Sequence, residues 1–299
     1  MRFDSKTLLA ALVASLAVTG CGSDDSDDKE PPRPITLMTF NVLCSLCNLE
    51  EYDPWDERLA YFEDIFARHD PDLIGIQELT PLNGEVDELL ATAPGRGAVF
   101  YGPEDRPPYP DATILYRTSR FEVLERGEYW LSPTPEVPSS SGFASPQLPR
   151  LVVWARLRDR AGDRELYFAT THFDNNSPSQ ELSAPLVLDR TAPWAKTHPV
   201  IVNGDFNSRP DSAAYATLTT DTSHGFVFTN AFDLAAEWHV VTNQSPEPAY
   251  DLNDRIDHNF LAGDGVTWTV SSWIAELTVY GDQQRYPSDH FPIVSVVEY

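Results

Sequence analysis

Residues 200–207 read Val-Ile-Val-Asn-Gly-Asp-Phe-Asn. The β-branched run favours a strand, and it ends in two short polar side chains, Asp205 and Asn207. Side chains alternate along a strand, so these two share a face while Phe206 packs on the other. An apolar strand with a polar end delivers polar groups to the rim of a sheet. Loops at such rims carry most binding and catalytic residues.

The same layout recurs outward in both directions. Ile35–Asn41 has strand composition and ends in Asn41; Asp72–Glu78 is nearly all apolar, as in a strand covered on both faces, and ends in Glu78. Glu165–His172 closes on His172, with Asp174 just beyond, and Ile256–Ala262 holds Asp257 near its start. His290–Val297 is preceded by Pro287-Ser288, a bend that lets Asp289 and His290 reach one site. Further strands are expected at Gly97–Tyr101, Asp111–Arg117, Phe121–Leu131, Arg150–Arg158, Pro199–Asp205 and Val266–Trp273. Gly263-Asp264-Gly265 reads as a tight hairpin between two of them.

Pro54–His69 is a helix by its pattern, with Trp55, Leu59, Phe62 and Phe66 on one face. Gly84–Ala93 and a stretch within Glu181–Lys196 are shorter helical segments, and the Pro- and Ser-rich Ser132–Pro149 is a surface loop. Strands dominate, no linker divides residues 35–299, and no repeat occurs. The expectation is one α+β domain of packed sheets with helices outside.

The chain has 299 residues, 41% of them hydrophobic, which excludes a disordered protein. Its net charge of −25 disfavours phosphate binding through a basic patch. A divalent cation would supply the missing positive charge. Arg2 and Lys6 precede the apolar run Leu8–Val18, too short for a span of roughly 20 residues, so residues 1–20 read as a signal peptide. Val18-Thr19-Gly20-Cys21 resembles a bacterial lipobox, which makes Cys21 the acylated N-terminus. Residues 21–34 are then an acidic tether. The expected location is the bacterial cell envelope, extracytoplasmic and membrane-anchored. Cys44 and Cys47 suit a local disulfide there, with two idle thiols as the alternative. Zinc is disfavoured, because no second cysteine pair completes a site.

The polar inventory is rich in oxygen: carboxylates at Glu78, Asp205, Asp257 and Asp289, amides at Asn41 and Asn207. Such ligands suit Mg²⁺, Mn²⁺ or Ca²⁺ rather than zinc. His172 and His290 add proton donors or acceptors near neutral pH. Together these groups suit hydrolysis of a phosphate ester.

Seven segments taken in order, 38–42 (MTFNV), 70–78 (DPDLIGIQE), 111–117 (DATILYR), 171–175 (THFDN), 202–208 (VNGDFNS), 255–260 (RIDHNF) and 288–293 (SDHFPI), resemble the motif set of the endonuclease/exonuclease/phosphatase superfamily. That superfamily includes pancreatic-type deoxyribonucleases, abasic-site endonucleases, bacterial sphingomyelinases and inositol-polyphosphate 5-phosphatases. The resemblance implies a four-layer αββα sandwich, its two mostly antiparallel sheets flanked by helices and the site at one rim. It implies Glu78 as principal metal ligand, helped by Asn41 and Asp289. Asp205 and Asn207 would orient the attacking water, and hold the phosphate or a second metal. His290, held by Asp257, would contact phosphate and assist proton removal. His172 would bind a phosphate oxygen or assist the leaving group. Two softer positions are Arg150, toward the phosphate or in a surface ion pair, and Tyr129, lining the site.

One departure stands out. The family often carries an arginine soon after the segment matching 171–175; here there is none, and Pro185 is expected to disturb the following helix. Simpler readings also exist: Asx turns for Asp205 and Asn207, a core histidine for His172, structural roles for histidines 69, 198, 224, 239 and 258. The expected partners are a phosphate-ester substrate (nucleic acid, phospholipid head group or small ester) and, through Cys21, a membrane. No protein partner is indicated. The rival to an enzyme is an inactive surface-binding lipoprotein on the same sandwich.

Overall fold

The computed structural model describes residues 33–47, 50–79, 84–101, 111–143 and 149–299. The leader, Cys21, residues 21–32 of the tether and residues 144–148 of the Ser132–Pro149 stretch lie outside the described residues.

Two βαβ units organise the molecule. β1 (Ile35–Asn41) and β2 (Leu73–Leu79) are parallel and joined through α1 (Trp55–His69); β7 (Arg164–His172) and β8 (Val200–Asp205) are parallel and joined through α3 (Ser179–Ala195). A parallel pair needs such a crossover. Around the first pair, β3 (Arg96–Val99), β4 (Asp111–Arg117), β10 (Trp238–Val241), β12 (Thr269–Glu276) and β13 (Ile293–Glu298) complete a seven-stranded sheet of order β10-β12-β13-β1-β2-β4-β3. Around the second, β5 (Phe121–Trp130), β6 (Leu151–Asp159), β9 (Thr229–Asn230) and β11 (Asp257–Ala262) complete a six-stranded sheet of order β5-β6-β7-β8-β11-β9.

Three apolar layers hold these sheets. Leu37, Ile114, Trp130, Val153, Phe168, Ile201 and Leu261 fill the space between them. Phe40, Phe62, Phe66 and Ile74 join the first sheet to α1 and α2 (Glu85–Thr92). Val152, Leu188, Val202 and Phe206 join the second to α3 and α4 (Ala213–Thr220). The result is the four-layer αββα sandwich.

Toward one rim the space between the sheets turns polar. Gln77 accepts from Thr39 Oγ1 (3.2 Å) and donates to Thr170 Oγ1 (3.0 Å), and Asn203 Nδ2 donates to the Met38 carbonyl (2.9 Å). A Cβ at Gly75 would stand 2.0 Å from Asn203 Oδ1 and 2.3 Å from Thr170 Oγ1, so glycine is what lets β2 approach β7 and β8. This stitching fixes how the two sheets' ends meet.

Two expectations need correction. The 263–265 turn is no hairpin: it carries the chain from β11 in one sheet to β12 in the other, which starts at Thr269 and pairs with β13 and β10. Pro185 does not break α3, which runs through both Pro185 and Pro193. An interior proline costs about 3 kcal/mol, and burial of Ala184, Val187 and Leu188 against the sheet outweighs it. His258, although next to Asp257, faces the opposite side. Its Nε2–H donates to Ser208 O (2.9 Å), and its Nδ1 accepts from Asn230 Nδ2 (3.0 Å).

His258 is buried against Phe206, Tyr215 and Phe260, and that burial lowers its pKa to about 4. The unfolded chain takes up a proton near pH 6.5 that the folded one refuses. Stability should therefore fall as pH drops from 6.5 to 4 and level off below, by up to about 3 kcal/mol at 1.4 kcal/mol per unit. Urea midpoints at pH 7 and pH 5 check this, since His258→Asn should lose most of the difference. An unchanged pH slope in that variant refutes the assignment.

Candidate active site

The polar ends of the strands meet at the rim where both parallel pairs point their C-termini. Ligands in open α/β sheets gather at the same ends. In the second sheet, pairing places His172 opposite Asp205 and Asp205 opposite Asp257, so three side chains on adjacent strands form one rung. His172 Nε2 lies 3.3 Å from Asp205 Oδ2. From the first sheet, Asn41 Nδ2 donates to Asp205 Oδ2 (3.2 Å) and to Glu78 Oε1 (3.1 Å). Asn41 thus bridges the two sheets at the centre of the rim.

Glu78 does not follow regular strand alternation. Pairing of β2 with β4 is irregular between Ile76 and Leu79, and Glu78 has φ +62. A bulge re-aims a side chain, and left-handed backbone at a non-glycine residue is a cost that functional sites commonly carry. The bulge sends Gln77 between the sheets and Glu78 toward Asn41. Asn207 also sits left-handed, at φ +45, just past β8. Its N–H donates to Asp205 Oδ1 (2.8 Å) and its Nδ2 to Phe173 O (3.0 Å).

The loop before β13 brings in the last pair. Ser288 Oγ donates to Asn41 O (2.6 Å), which seats that loop on β1. His290 Nδ1 lies 2.9 Å from Asp257 Oδ2, and its Nε2 lies 3.6 Å from Asp205 Oδ2. Asp289 is exposed and lines, with Asp257, His290, Tyr250 and Phe291, a cleft of about 290 Å³.

Charge is distributed unequally among these groups. Burial acts to raise the Asp205 carboxyl, but His172, His290 and the Asn207 N–H outweigh it and hold it below the usual carboxylate range. Asp257 is raised to about 6, by burial foremost and against the pull of His290. Burial alone would lower His290, yet Asp257, Asp205 and Asp289 raise it to about 10. His172 is lowered, by burial first and then by Arg150, against Asp205.

Arg150 is buried, and its Nη1 stands 2.8 Å from His172 Nδ1. A guanidinium only donates, so Nδ1 is the acceptor and the proton of His172 sits on Nε2. Arg150 therefore sets the tautomer of His172. Tyr129 does not line the cleft. It is packed with Val152, Phe173 and Leu188 on the helix side of the sheet, because its partner in register, Val152, faces that way. Burial raises its hydroxyl pKa.

Arg58 went unnoticed in the sequence. It donates to the carbonyls of Asp53, Val42, Leu43 and Pro287, tying the loop after Asn41 to the loop before Asp289. Its signal was a lone arginine on the apolar stripe of α1, three residues after Trp55 and four before Phe62.

Four carboxylates converge here, and among the described residues neither Glu78, Asp257 nor Asp289 forms an ion pair with Lys or Arg. Asp257 Oδ1 is buried with no hydrogen-bond partner among the described residues. Hard oxygen donors with a deficit of positive charge fit a divalent cation of the Mg²⁺ type. Asp205, Asp257 and His290 lie close enough together to share an ion, as do Glu78, Cys44 and Cys47. The two sulfurs, however, are bonded to each other. That settles the alternative of idle thiols, and leaves Glu78 as the available ligand of its group.

A two-sheet sandwich with acids, amides and imidazoles gathered at one rim defines a hydrolase class that acts on phosphate esters. The chain belongs to the Endonuclease/Exonuclease/phosphatase family, whose model matches residues 38–290. A family protein from Bacteroides thetaiotaomicron is 25% identical, with a TM-score of 0.75 over 90% of this chain and 97% of that one. The mannosyl-6-phosphatase of B. thetaiotaomicron VPI-5482 is 24% identical, with a TM-score of 0.75 over 89% and 100%. A D. rerio TDP2 complexed with single strand DNA product is 20% identical, with a TM-score of 0.66 over 89% and 99%. The last two likenesses are of fold. No curated protein sequence matches.

Proposed function

We propose that this chain is a divalent-metal-dependent phosphoesterase, anchored outside the cytoplasm through a lipid on Cys21. The observation that carries the catalytic reading is the convergence of Asn41, Glu78, Asp205, His172, Asp257 and His290, drawn from six strands or strand-flanking loops, at one rim. Glu78, Asn41 and Asp289 would hold Mg²⁺ (or Mn²⁺ or Ca²⁺), which supplies Lewis-acid stabilisation of phosphoryl charge. Asp205, kept ionised, orients the attacking water and receives its proton, with Asn207 fixing the carboxylate through its backbone N–H. Asp257 holds His290 Nδ1–H, so Nε2 faces the cleft as a donor to phosphate. Arg150 keeps His172 as an Nε2–H donor to a phosphate oxygen or the leaving group.

Two features favour a small ester over a polynucleotide or a lipid of the anchoring bilayer. The cleft beside His290 is about 290 Å³, and the net charge of −25 repels polyanions.

A panel of sugar phosphate, oligonucleotide and phosphocholine lipid, assayed with and without EDTA, tests this. We expect turnover of at least one ester, highest for the sugar phosphate, abolished by chelation and restored by Mg²⁺ or Mn²⁺. No turnover of any member supports the inactive surface lipoprotein instead. For the anchor, Cys21→Ala should move the protein from the membrane to the soluble fraction; unchanged membrane retention without acyl label argues against it.

A further inference from the structure

Beside Glu78 stands a covalent feature that the chemistry above does not use. The disulfide between Cys44 and Cys47, with Cα atoms 5.0 Å apart, closes a turn in which the Cys47 N–H donates to Cys44 O (3.0 Å). That turn aims the Cys44 N–H at Glu78 Oε2 (3.2 Å) and sets Cys47 Sγ 3.7 Å from the same oxygen. The other oxygen of Glu78 accepts from Asn41 (3.1 Å). Both carboxylate oxygens are therefore oriented by the segment that leaves β1.

The segment has further ties, but among the described residues none of these reaches Glu78. Arg58 grips the carbonyls of Val42 and Leu43 ahead of the turn, and Ser45 Oγ donates to Glu85. Glu78 itself sits at φ +62 on a bulge, so regular strand geometry does not define where its carboxylate points. Its outer partners do.

We propose that the Cys44–Cys47 disulfide is a positioning element for the Glu78 carboxylate, so that the divalent-cation affinity of the site depends on the bond being formed. The proposal rests on the reading of Glu78 as a metal ligand. Outer-shell partners of metal ligands are typically worth 10–100-fold in affinity. Opening the bond also presents two thiols beside Glu78, the three ligand groups lying within 4.8 Å of one another. Sulfur ligands prefer Zn²⁺ to Mg²⁺, so reduction shifts the preference of the site as well as weakening it. An oxidising compartment would then keep the enzyme a hard-cation enzyme.

The experiment is calorimetric titration of Mg²⁺, and separately Zn²⁺, into three forms of the full chain. These are the oxidised wild type, the wild type reduced by a phosphine, and the C44S/C47S variant. In the reduction the phosphine takes the oxygen of a water, and each sulfur takes a proton. We expect Mg²⁺ affinity to fall about tenfold or more in the last two forms, with unchanged circular dichroism. New Zn²⁺ binding should appear in the reduced wild type alone, and reoxidation should restore Mg²⁺ affinity. Equal Mg²⁺ affinity in all three forms overturns the proposal. Unfolding of both bond-free forms overturns it too, by making the bond a staple of the fold. Absence of Mg²⁺ binding in the oxidised wild type overturns instead the underlying reading of Glu78, a result visible before any cysteine is touched.

Discussion

Glu78→Gln should reduce turnover of any accepted phosphate ester by about 10³-fold or more, with little change in melting temperature. The amide keeps the volume of the side chain and an oxygen to accept from Asn41 Nδ2. It removes the charge that a hard cation requires. A single outer-shell partner of a metal is typically worth 10–100-fold, and a direct ligand should exceed that. Stability should change little, because relief of one negative charge beside Asp205, Asp257 and Asp289 offsets the acceptor that the Cys44 N–H loses. Mg²⁺ titration supplies the second readout, since binding should weaken in parallel with turnover. Retention of wild-type turnover within tenfold would remove Glu78 from the metal site and with it the proposed chemistry.

The second large effect is expected at His290. His290→Ala should cost about 10²–10⁴-fold in kcat, the usual range for a proton-transfer or charge-stabilising imidazole. Here a stability loss is also expected. The substitution leaves Asp257 buried, its Oδ1 already without a partner and its Oδ2 newly bereft. Breaking a buried pair by removing one partner typically costs about 3–5 kcal/mol. Catalysis and stability separate in the double variant His290→Ala/Asp257→Asn, which no longer buries an unpaired carboxylate. Its melting temperature should return toward wild type while kcat stays low. If kcat recovers together with stability, His290 is a structural residue and the donor at the phosphate lies elsewhere.

Much of the site was legible because each group ends or begins an apolar run. Asn41, Glu78, His172, Asp205, Asp257 and the pair Asp289 and His290 all stand where a strand meets the rim, and a one-dimensional pattern suffices to mark such positions. The direction in which a marked side chain points is another matter. Tyr129 and Trp130 are neighbours of similar character, and alternation sends one to the helix side and the other between the sheets; which is which depends on register with β6. Arg150 carried no sequence signal of its partner, because His172 is 22 residues away and meets it through pairing of β6 with β7. The short elements were missed for a different reason. β10 is an edge strand of four partly exposed residues, and α4 is two turns rich in threonine, so neither shows an apolar period.

Local chemistry along the chain therefore determined the class of fold and the polar strand ends that gather at the rim. These follow from side-chain periodicity and donor type, which are properties of neighbours in sequence. The tertiary structure decided the pairing of sheets through the 263–265 crossover, the bulge that turns Glu78 and the tautomer of His172. Each of these depends on contacts between segments or on backbone angles that close packing imposes, and neither is encoded in any short stretch of residues.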